Sequence, residues 1–329
     1  MYRPGNREAW NGRIDDTESY DAFRWHQWIT PLDLENIRGP VLDAAKKEIG
    51  IAIVGFACDE GVKRNLGRPG AVNGPAAIRG ELRNLPCSFD PAIRLFDCGD
   101  VVHESTLEES QIELGEKIEN IASRGLFPVI LGGGHETALG HWLGLRRSAK
   151  LLGIVNLDAH FDLRPYPQGG SSGTMFAQIS DSNITERNGS GYLCLGVQKR
   201  GNTVALFKKA EALGARWMLA RDISEGGAEA AYPLIDAFCE RHEKIMITTC
   251  ADVFSTAFAP GVSAPQPLGL DPEKVLRMIK RVMAGGKLIG FDVCEVAPRF
   301  DQDSTTASLA ATLIFAVVNS IAELRGLAR

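Results

Sequence analysis

The chain has 329 residues, of which 44% are hydrophobic, and a formal net charge of -5. This is enough apolar sequence for one large α/β domain or two ordinary ones. Lysine and arginine are spread along the chain without a basic block, which argues against a nucleic-acid or anionic-membrane surface and favours small-molecule chemistry.

Residues 1–30 contain no apolar segment of the kind found in signal peptides, and we expect no later stretch of about 18 apolar residues that would span a membrane. The seven cysteines are odd in number and form no CxxC pair, which suits reduced thiols better than disulfides. These features predict a soluble protein of the cytoplasm.

Short apolar segments alternate with segments of helical spacing over most of the chain. The predicted strands are, in chain order, IGIAIVGFA, LFPVILGG, LLGIVNLDA, GYLCLGV, KIMITTCAD and GKLIGFDV. The predicted helices are ESQIELGEKIENIAS, HETALGHWLGLRRS, NTVALFKKAEALGA and PEKVLRMIKRVMA. We therefore expect an α/β fold, a three-layer αβα sandwich with a mostly parallel, doubly wound sheet. Residues 1–45 are interpreted as an N-terminal extension packed on a single catalytic domain, residues 46–329.

Polar segments follow four of the predicted strands. In parallel sheets, ligands bind beyond the carboxyl ends of the strands, so such segments are candidate site residues before any motif is identified. The four segments are LGGGHE, DAHFD, CAD and CEV.

Side chains that bind divalent cations are concentrated in these segments: His135, Asp158, His160, Asp162 and Asp252. Each has an ordinary alternative as a solvated or helix-capping residue. Burying several like charges at three strand ends without a cation would be costly, so the combination favours a metal site. Five such ligands are too many for a structural tetrahedral zinc and suit an octahedral or paired-metal site.

The segments GGGHE, DAHFD and CADVFSTAFAPGVSAPQPLGL resemble the three metal motifs of the ureohydrolase family, which includes arginase, agmatinase and formimidoylglutamase. Within that family, NLGRPGAVNGPAAIR, DAHFDLRPYPQGGSSGTMF, YLCLGVQKRGNT and the N-terminal WNGRIDD and RWHQWI are most similar to formimidoylglutamases. The resemblance implies an arginase-like fold and the hydrolysis of N-formimidoyl-L-glutamate to L-glutamate and formamide, a step of histidine degradation.

The resemblance also implies a site for two manganese ions. His135, Asp158 and Asp162 would hold one ion, and His160 and Asp252 the other, with Asp158 bridging. Hydroxide bound to the metals would attack the formimidoyl carbon, since cations acidify bound water. Asp162 would orient this hydroxide and pass its proton to the leaving amine.

The same resemblance suggests how the substrate is held. Glu295 would grip the amidine nitrogens, although a helix-start or surface charge is the ordinary alternative. Arg164 would bind a substrate carboxylate, or else pair with an acidic loop. Ser172, Gly173 and Thr174 would add hydroxyl and backbone donors from a flexible loop.

Cys250 departs from the family pattern, which has an aspartate contacting both metals at this position. A thiolate offers one soft sulfur and prefers zinc, iron or copper over manganese. The outcomes left open are a thiolate-bridged pair, a single ion or a different metal, loss of metal and hydrolysis, and a Cys250 that is only a small buried residue.

Two more positions bear on the proton route. Phe176 stands where arginases have a histidine, and a phenyl ring cannot carry a proton. His141 is interpreted as a packing or surface residue that faces away from His135.

Three kinds of function remain possible. The leading hypothesis is the formimidoylglutamate hydrolase with a small amidine or amino-acid ligand and no nucleic-acid or membrane partner. A hydrolase of agmatine or another guanidino compound is weaker, because Arg164 would repel a cationic tail. A metal-poor, non-catalytic binding protein is the third. The family commonly forms trimers or hexamers, so a homo-oligomer is possible.

Overall fold

The computed structural model describes residues 1–186 and 190–329. In this part of the chain ten strands form one sheet: β1 (Tyr2–Arg3), β2 (Thr30–Pro31), β3 (Ile49–Ala57), β4 (Ile93–Val102), β5 (Phe127–Leu131), β6 (Leu152–Leu157), β7 (Gly191–Val197), β8 (Arg216–Leu219), β9 (Lys244–Cys250) and β10 (Leu288–Cys294). The helices are α1 (Trp25–Trp28), α2 (Glu60–Arg64), α3 (Gly74–Leu82), α4 (Leu107–Ser123), α5 (Thr137–Leu145), α6 (Met175–Glu186), α7 (Val204–Ala212), α8 (Ala220–Gly226), α9 (Tyr232–Arg241), α10 (Pro272–Ala284) and α11 (Thr305–Leu324).

The sheet is parallel apart from one edge strand. Its order is β1-β4-β3-β5-β10-β9-β6-β7-β8, and β2 pairs with β4 next to β1. Only the β1–β4 pair is antiparallel among the described strands. The predicted α/β fold with a mostly parallel, doubly wound sheet is therefore confirmed. All six predicted strands are present, and IGIAIVGFA and GYLCLGV match β3 and β7 at both ends.

Helices cover both faces of the sheet. One buried apolar cluster includes side chains of α3, α9, α10 and α11, and a second includes those of α4, α5, α6 and α7. Along β3, Ile51 and Ile53 belong to the first cluster while Ala52 and Val54 belong to the second. This alternation is expected of a strand buried on both faces, where each isoleucine contributes roughly 1.5–3 kcal/mol.

β4 was not predicted, because it carries charged residues. Asp97 is buried, and the Arg79 guanidinium from α3 lies 3.0 Å from Asp97 Oδ1 and 2.7 Å from Asp100 Oδ1. The indole Nε1 of Trp10 donates to Asp97 Oδ2 at 2.8 Å. The buried charges are thus paired and hydrogen-bonded, which is the condition for tolerating them in a core.

Residues 1–45 contribute β1, β2 and α1 to this same edge of the sheet. Trp10, Trp25 and Ile29 are fully or almost fully buried in the first apolar cluster. The N-terminal segment therefore shares a core with the rest of the chain. All seven cysteines are free and buried.

α11 is long and apolar enough, by length and composition, to cross a membrane, which corrects the expectation that no such stretch exists. Half of this apolar window is buried inside the protein, where Ile314 and Val317 join the first cluster and the helix packs on α3 and α10. The buried core helix of a folded domain meets the same criteria.

Candidate functional site

The four polar segments identified in the sequence converge at one edge of the sheet. The strands that precede them, β5, β10, β9 and β6, are neighbours in the sheet, so their carboxyl ends lie side by side. The residues brought together there are His135, Asp158, His160, Asp162, Cys250, Asp252 and Glu295. All are buried except His160, whose side chain is 19% exposed.

A first ligand cluster contains His135, Asp158 and Cys250, whose ligand atoms all lie within 4.8 Å of one another. His135 Nδ1 lies 3.0 Å from Asp158 Oδ2 and 2.9 Å from Asp162 Oδ2. Asp162 therefore borders this cluster through His135.

A second ligand cluster contains Asp158, His160 and Asp252. His160 Nδ1 lies 3.1 Å from Asp252 Oδ2 and 3.5 Å from Asp158 Oδ1. Asp158 belongs to both clusters and faces each histidine with a different oxygen. This is the arrangement expected of a carboxylate that bridges two cations.

The donor set fits divalent cations. Asp252 Oδ1 is buried and has no hydrogen-bond partner among the described residues, and both histidines direct Nδ1 at carboxylate oxygens. Imidazole nitrogens with carboxylate oxygens suit first-row divalent ions. A cation between these groups would neutralise the buried negative charge that they concentrate.

The electrostatics of the site reflect this crowding of acids. Burial and the charge of Asp158 raise the pKa of Asp162 to about 6. Burial opposes ionisation of Asp158, but hydrogen bonds from His135 and His160 hold its pKa well below the usual range. Burial alone would lower the pKa of His135, but hydrogen bonds to Asp158 and Asp162 raise it well above the usual value. Positive charge at the centre of the site is therefore favoured.

Cys250 is the last residue of β9, and Asp252 lies in the single 3-10 turn that follows, Ala251–Val253. Both residues belong to the ligand clusters, although the strand alternation expected to bring them together ends at Cys250. Burial and the nearby carboxylates, Asp252 first, raise the pKa of the Cys250 thiol well above its usual value. Without a cation the sulfur is a thiol, whereas coordination to a metal deprotonates it.

Two acidic side chains at the site sit on left-handed backbone, Asp162 with φ 47° and Glu295 with φ 66°. Such conformations cost non-glycine residues on the order of 1–3 kcal/mol and are typical of functional sites. Glu295 Oε1 accepts the backbone N–H of His135 at 2.8 Å. Burial and the neighbouring Glu136 raise the pKa of Glu295 well above its usual value.

The loop after DAHFD lies beside the clusters. Arg164 is exposed, and its backbone N–H donates to the Gly173 carbonyl at 3.0 Å. A Cβ at Gly173 would lie 3.0 Å from Arg164 Cδ and 2.8 Å from Asn65 Oδ1, so these two side chains pack closely over the glycine. Ser172 and Thr174 are buried, and the Thr174 hydroxyl connects the Ser171 backbone N–H in the loop to the Gln178 side chain on α6.

Two polar residues that touch the clusters are not among those expected from the sequence. Asn156 Nδ2 donates to Asp158 Oδ2 at 3.1 Å, and Thr248 Oγ1 lies 3.0 Å from His135 Nε2. The sequence holds a signal for both: Asn156 stands two residues before Asp158 and Thr248 two residues before Cys250, a spacing that places side chains on one face of a strand.

Two aromatic rings and a second buried imidazole lie close to the site. Phe176 stacks on Tyr192 with ring centroids 4.4 Å apart and meets the His135 ring edge-on at 5.8 Å. His141 is fully buried and its Nδ1 lies 2.6 Å from Asp292 Oδ2. The surface alternative for His141 is therefore wrong, although it lies outside both ligand clusters.

Comparison with known proteins identifies the family of this chain. The sequence profile of the arginase family matches residues 49–319. The formimidoylglutamase of Clostridium tetani is 49% identical over 99% of this chain and 98% of its own, and that of Geobacillus thermodenitrificans is 46% identical over 94% and 95%.

Solved structures of formimidoylglutamases are similar to this chain in fold. The Trypanosoma cruzi formiminoglutamase with Mn²⁺ has a TM-score of 0.76 at 26% identity and covers 88% of this chain and 98% of its own. The Bacillus subtilis formimidoylglutamase, at 20% identity, shares the fold with a TM-score of 0.82 over 95% and 96% of the two chains. The sheet order, the motif segments at its edge and the match along most of the sequence lead to one conclusion: this chain belongs to the arginase family.

Proposed function

We propose that this protein hydrolyses N-formimidoyl-L-glutamate to L-glutamate and formamide. The observation that carries the proposal is the pair of ligand clusters that share Asp158 at the strand ends. It is supported by the 49% identity to the Clostridium tetani formimidoylglutamase along nearly the whole chain. We assign the chemistry to residues 46–329, with residues 1–45 packed against them.

The cofactor we propose is manganese, since a structural relative was solved with Mn²⁺. His135, Asp158, Asp162 and Cys250 would hold one ion, and His160, Asp252 and Asp158 the other. When bound, such ions supply Lewis acidity and lower the pKa of bound water. Because Cys250 is a soft ligand, a single ion or another metal is the alternative occupancy.

Glu295 would orient the substrate. Its Oε1 is tied to the His135 N–H, which leaves the second oxygen to accept from the amidinium of the substrate. Such a charge-assisted contact would hold the formimidoyl carbon at the ligand clusters and bring the reacting atoms together. Asp162, 2.9 Å from His135 Nδ1, would accept the proton of the attacking hydroxide and donate it to the leaving nitrogen.

Arg164 would determine which substrates enter. Its exposed guanidinium on the loop beside the clusters is available to a substrate carboxylate, which it can hold bidentately. The same positive charge disfavours a cationic tail such as that of agmatine. The backbone of Ser172 and Gly173 would line this part of the pocket, and Thr174 would hold the loop in shape. We further propose a cytoplasmic enzyme with small-molecule substrates, no nucleic-acid or membrane partner, and self-association into an oligomer.

A substrate panel tests the proposal. The purified protein with added manganese is incubated with N-formimidoyl-L-glutamate, agmatine and L-arginine, and formamide and urea release are measured. We expect formamide from the first and no urea from the other two. Urea from agmatine would replace this proposal with the guanidino hydrolase, and no turnover together with no bound metal would favour a non-catalytic binding protein.

A further inference from the structure

Two side chains on neighbouring central strands form the start of a buried polar chain. The register of β9 and β10 pairs Thr248 with Asp292, so both point to the same face of the sheet. Both are fully buried, and Thr248 Oγ1 lies 2.7 Å from Asp292 Oδ1. On its other side, Thr248 Oγ1 lies 3.0 Å from His135 Nε2. Asp292 is thus connected to a ligand of the first cluster.

The directions of these hydrogen bonds follow from the number of hydrogens available. A carboxylate only accepts, so Asp292 takes the single hydroxyl hydrogen of Thr248. The Thr248 oxygen must then accept, and the hydrogen comes from His135 Nε2. A neutral His135 therefore carries its hydrogen on Nε2 and keeps the Nδ1 lone pair free, and Nδ1 is the atom that faces Asp158 and Asp162.

His141 anchors the far end of the chain. Its Nδ1 donates to Asp292 Oδ2 at 2.6 Å, while the Cys294 thiol donates to Oδ1 at 3.1 Å. The ring fits because Gly290 on β10 has no side chain: a Cβ there would lie 2.4 Å from His141 Nε2. The polar chain therefore runs from α5 through β10 and β9 to the loop after β5.

We propose that Thr248, Asp292 and His141 form a positioning relay that holds the His135 ring with Nδ1 toward the first ligand cluster and so sets the affinity of one of the two ions. The inference rests on the metal part of the proposed function. Outer partners of metal-bound histidines fix the ring orientation and the tautomer, and their loss costs about 10–100-fold in metal affinity.

The relay reaches only one cluster. His160 presents Nδ1 to the second cluster, and its Nε2 lies against Gly201, where a Cβ would be 2.8 Å away. No contact among the described residues joins Thr248 or Asp292 to His160. Loss of a relay contact should therefore weaken binding of the ion at His135 and leave binding of the ion at His160 unchanged.

The chain offers a matched control for Thr248. Thr249 is its neighbour on β9, equally buried, and its hydroxyl has no hydrogen-bond partner among the described residues. Thr248→Val and Thr249→Val remove the same atom from adjacent positions, and Thr248→Ser keeps the hydroxyl. Manganese binding to each full-length variant is measured by equilibrium dialysis with elemental mass spectrometry, without substrate. His135→Ala identifies which binding step belongs to His135.

We expect Thr248→Val to lower the manganese affinity of the binding step that His135→Ala abolishes, by about 10–100-fold. The affinities of Thr248→Ser and Thr249→Val should stay within about twofold of wild type. His141→Leu should weaken it as well, and His141→Asn, which restores a donor near Nδ1, should recover part of the loss. Thermal unfolding of the metal-free proteins reports any change in fold.

The possible results distinguish failure of the relay alone from failure of the proposed metal site. Wild-type affinity in Thr248→Val, or equal losses in Thr248→Val and Thr249→Val, overturns the relay and leaves the proposed function standing. A wild-type protein that binds no manganese, or a His135→Ala variant that binds like wild type, overturns the relay together with the proposed metal site.

Discussion

Cys250 and Asp252 lie two residues apart at the end of β9 and belong to different ligand clusters, which share Asp158. Cys250 joins the cluster of His135, and Asp252 that of His160. The one soft ligand of the site is therefore confined to one cluster.

Replacing this sulfur with a hard ligand should increase metal binding. We expect Cys250→Asp to raise manganese occupancy, because the hard oxygens of a carboxylate suit manganese better than one soft sulfur. Metal content after dialysis and formamide release are the measurements. Cys250→Ser, a neutral control of similar size, should not raise occupancy. Equal occupancy in Cys250→Asp and wild type would remove Cys250 from the ligand set.

The shared carboxylate should be essential for turnover. Asp158→Asn is expected to lower formamide release by more than about 100-fold, beyond the range for partners outside the ligand set. The metal-free fold should persist, because a core of this size does not depend on one ion site. Thermal unfolding with a chelator measures the second effect, and Glu225→Gln on the surface of α8 is the control. Retained turnover would exclude Asp158 from the mechanism.

Arg164 should act on substrate binding. Arg164→Gln removes a charge-assisted contact worth about 1.5–3 kcal/mol, so kcat/KM should fall about 10–100-fold, mainly through KM. Steady-state kinetics with N-formimidoyl-L-glutamate measure the change. Arg221→Gln on α8, whose side chain is also exposed, is the matched control. An unchanged KM would instead favour a structural role for Arg164.

β3 and β7, the two strands that the sequence predicts with both ends correct, carry no charged side chain. The sequence does not predict β4, because a charged residue such as Asp97 is normally expected at the surface. Its burial depends on Arg79 and Trp10, partners that are distant in the sequence. α11 is also not among the helices predicted from the sequence.

In the site, too, local sequence patterns predict residues, whereas contacts between distant parts of the chain are not predicted. His135, Asp158, His160, Asp162, Cys250 and Asp252 were found because strand ends and motif spacing are local signals. The bonds of His141 and Thr248 depend on Asp292, a partner 151 and 44 residues away in the chain. Pairings at that range follow from the sheet order, which periodicity does not specify.

Gly290 should matter through the space that it leaves. A Cβ in Gly290→Ala would lie 2.4 Å from His141 Nε2 and 2.7 Å from Leu145 Cδ1. We expect a loss of about 1–3 kcal/mol in the free energy of unfolding, as for other overpacked cores. Urea unfolding of the metal-free protein measures this. Gly285→Ala is the control, since the nearest atom to its Cβ would be 3.6 Å away. Equal stability of both variants would contradict the tight fit at His141.

The acid sensitivity of the fold should depend partly on His242, which is remote from the ligand clusters. Burial lowers the pKa of His242, and its Nδ1–H donates to the Phe238 carbonyl at 2.7 Å. The unfolded chain therefore takes up this proton first as the pH falls. The stability is present above the ordinary histidine pKa of about 6.5 and is lost as the pH falls through the folded-state value.

His242→Asn keeps a donor but cannot titrate. We expect its free energy of unfolding to decline less than that of wild type between about pH 7.5 and 5. Urea unfolding at several pH values, with a chelator present, is the measurement. His242→Gln should flatten the curve as well. Parallel curves for wild type and both variants would show that His242 does not contribute.

The ligand clusters draw on strand ends spread from His135 to Asp252, and Glu295 follows β10 later still. No short fragment of the chain contains the whole set, and during synthesis most of the protein must emerge before the pieces can meet. The proposed cation site is consequently completed late in biogenesis.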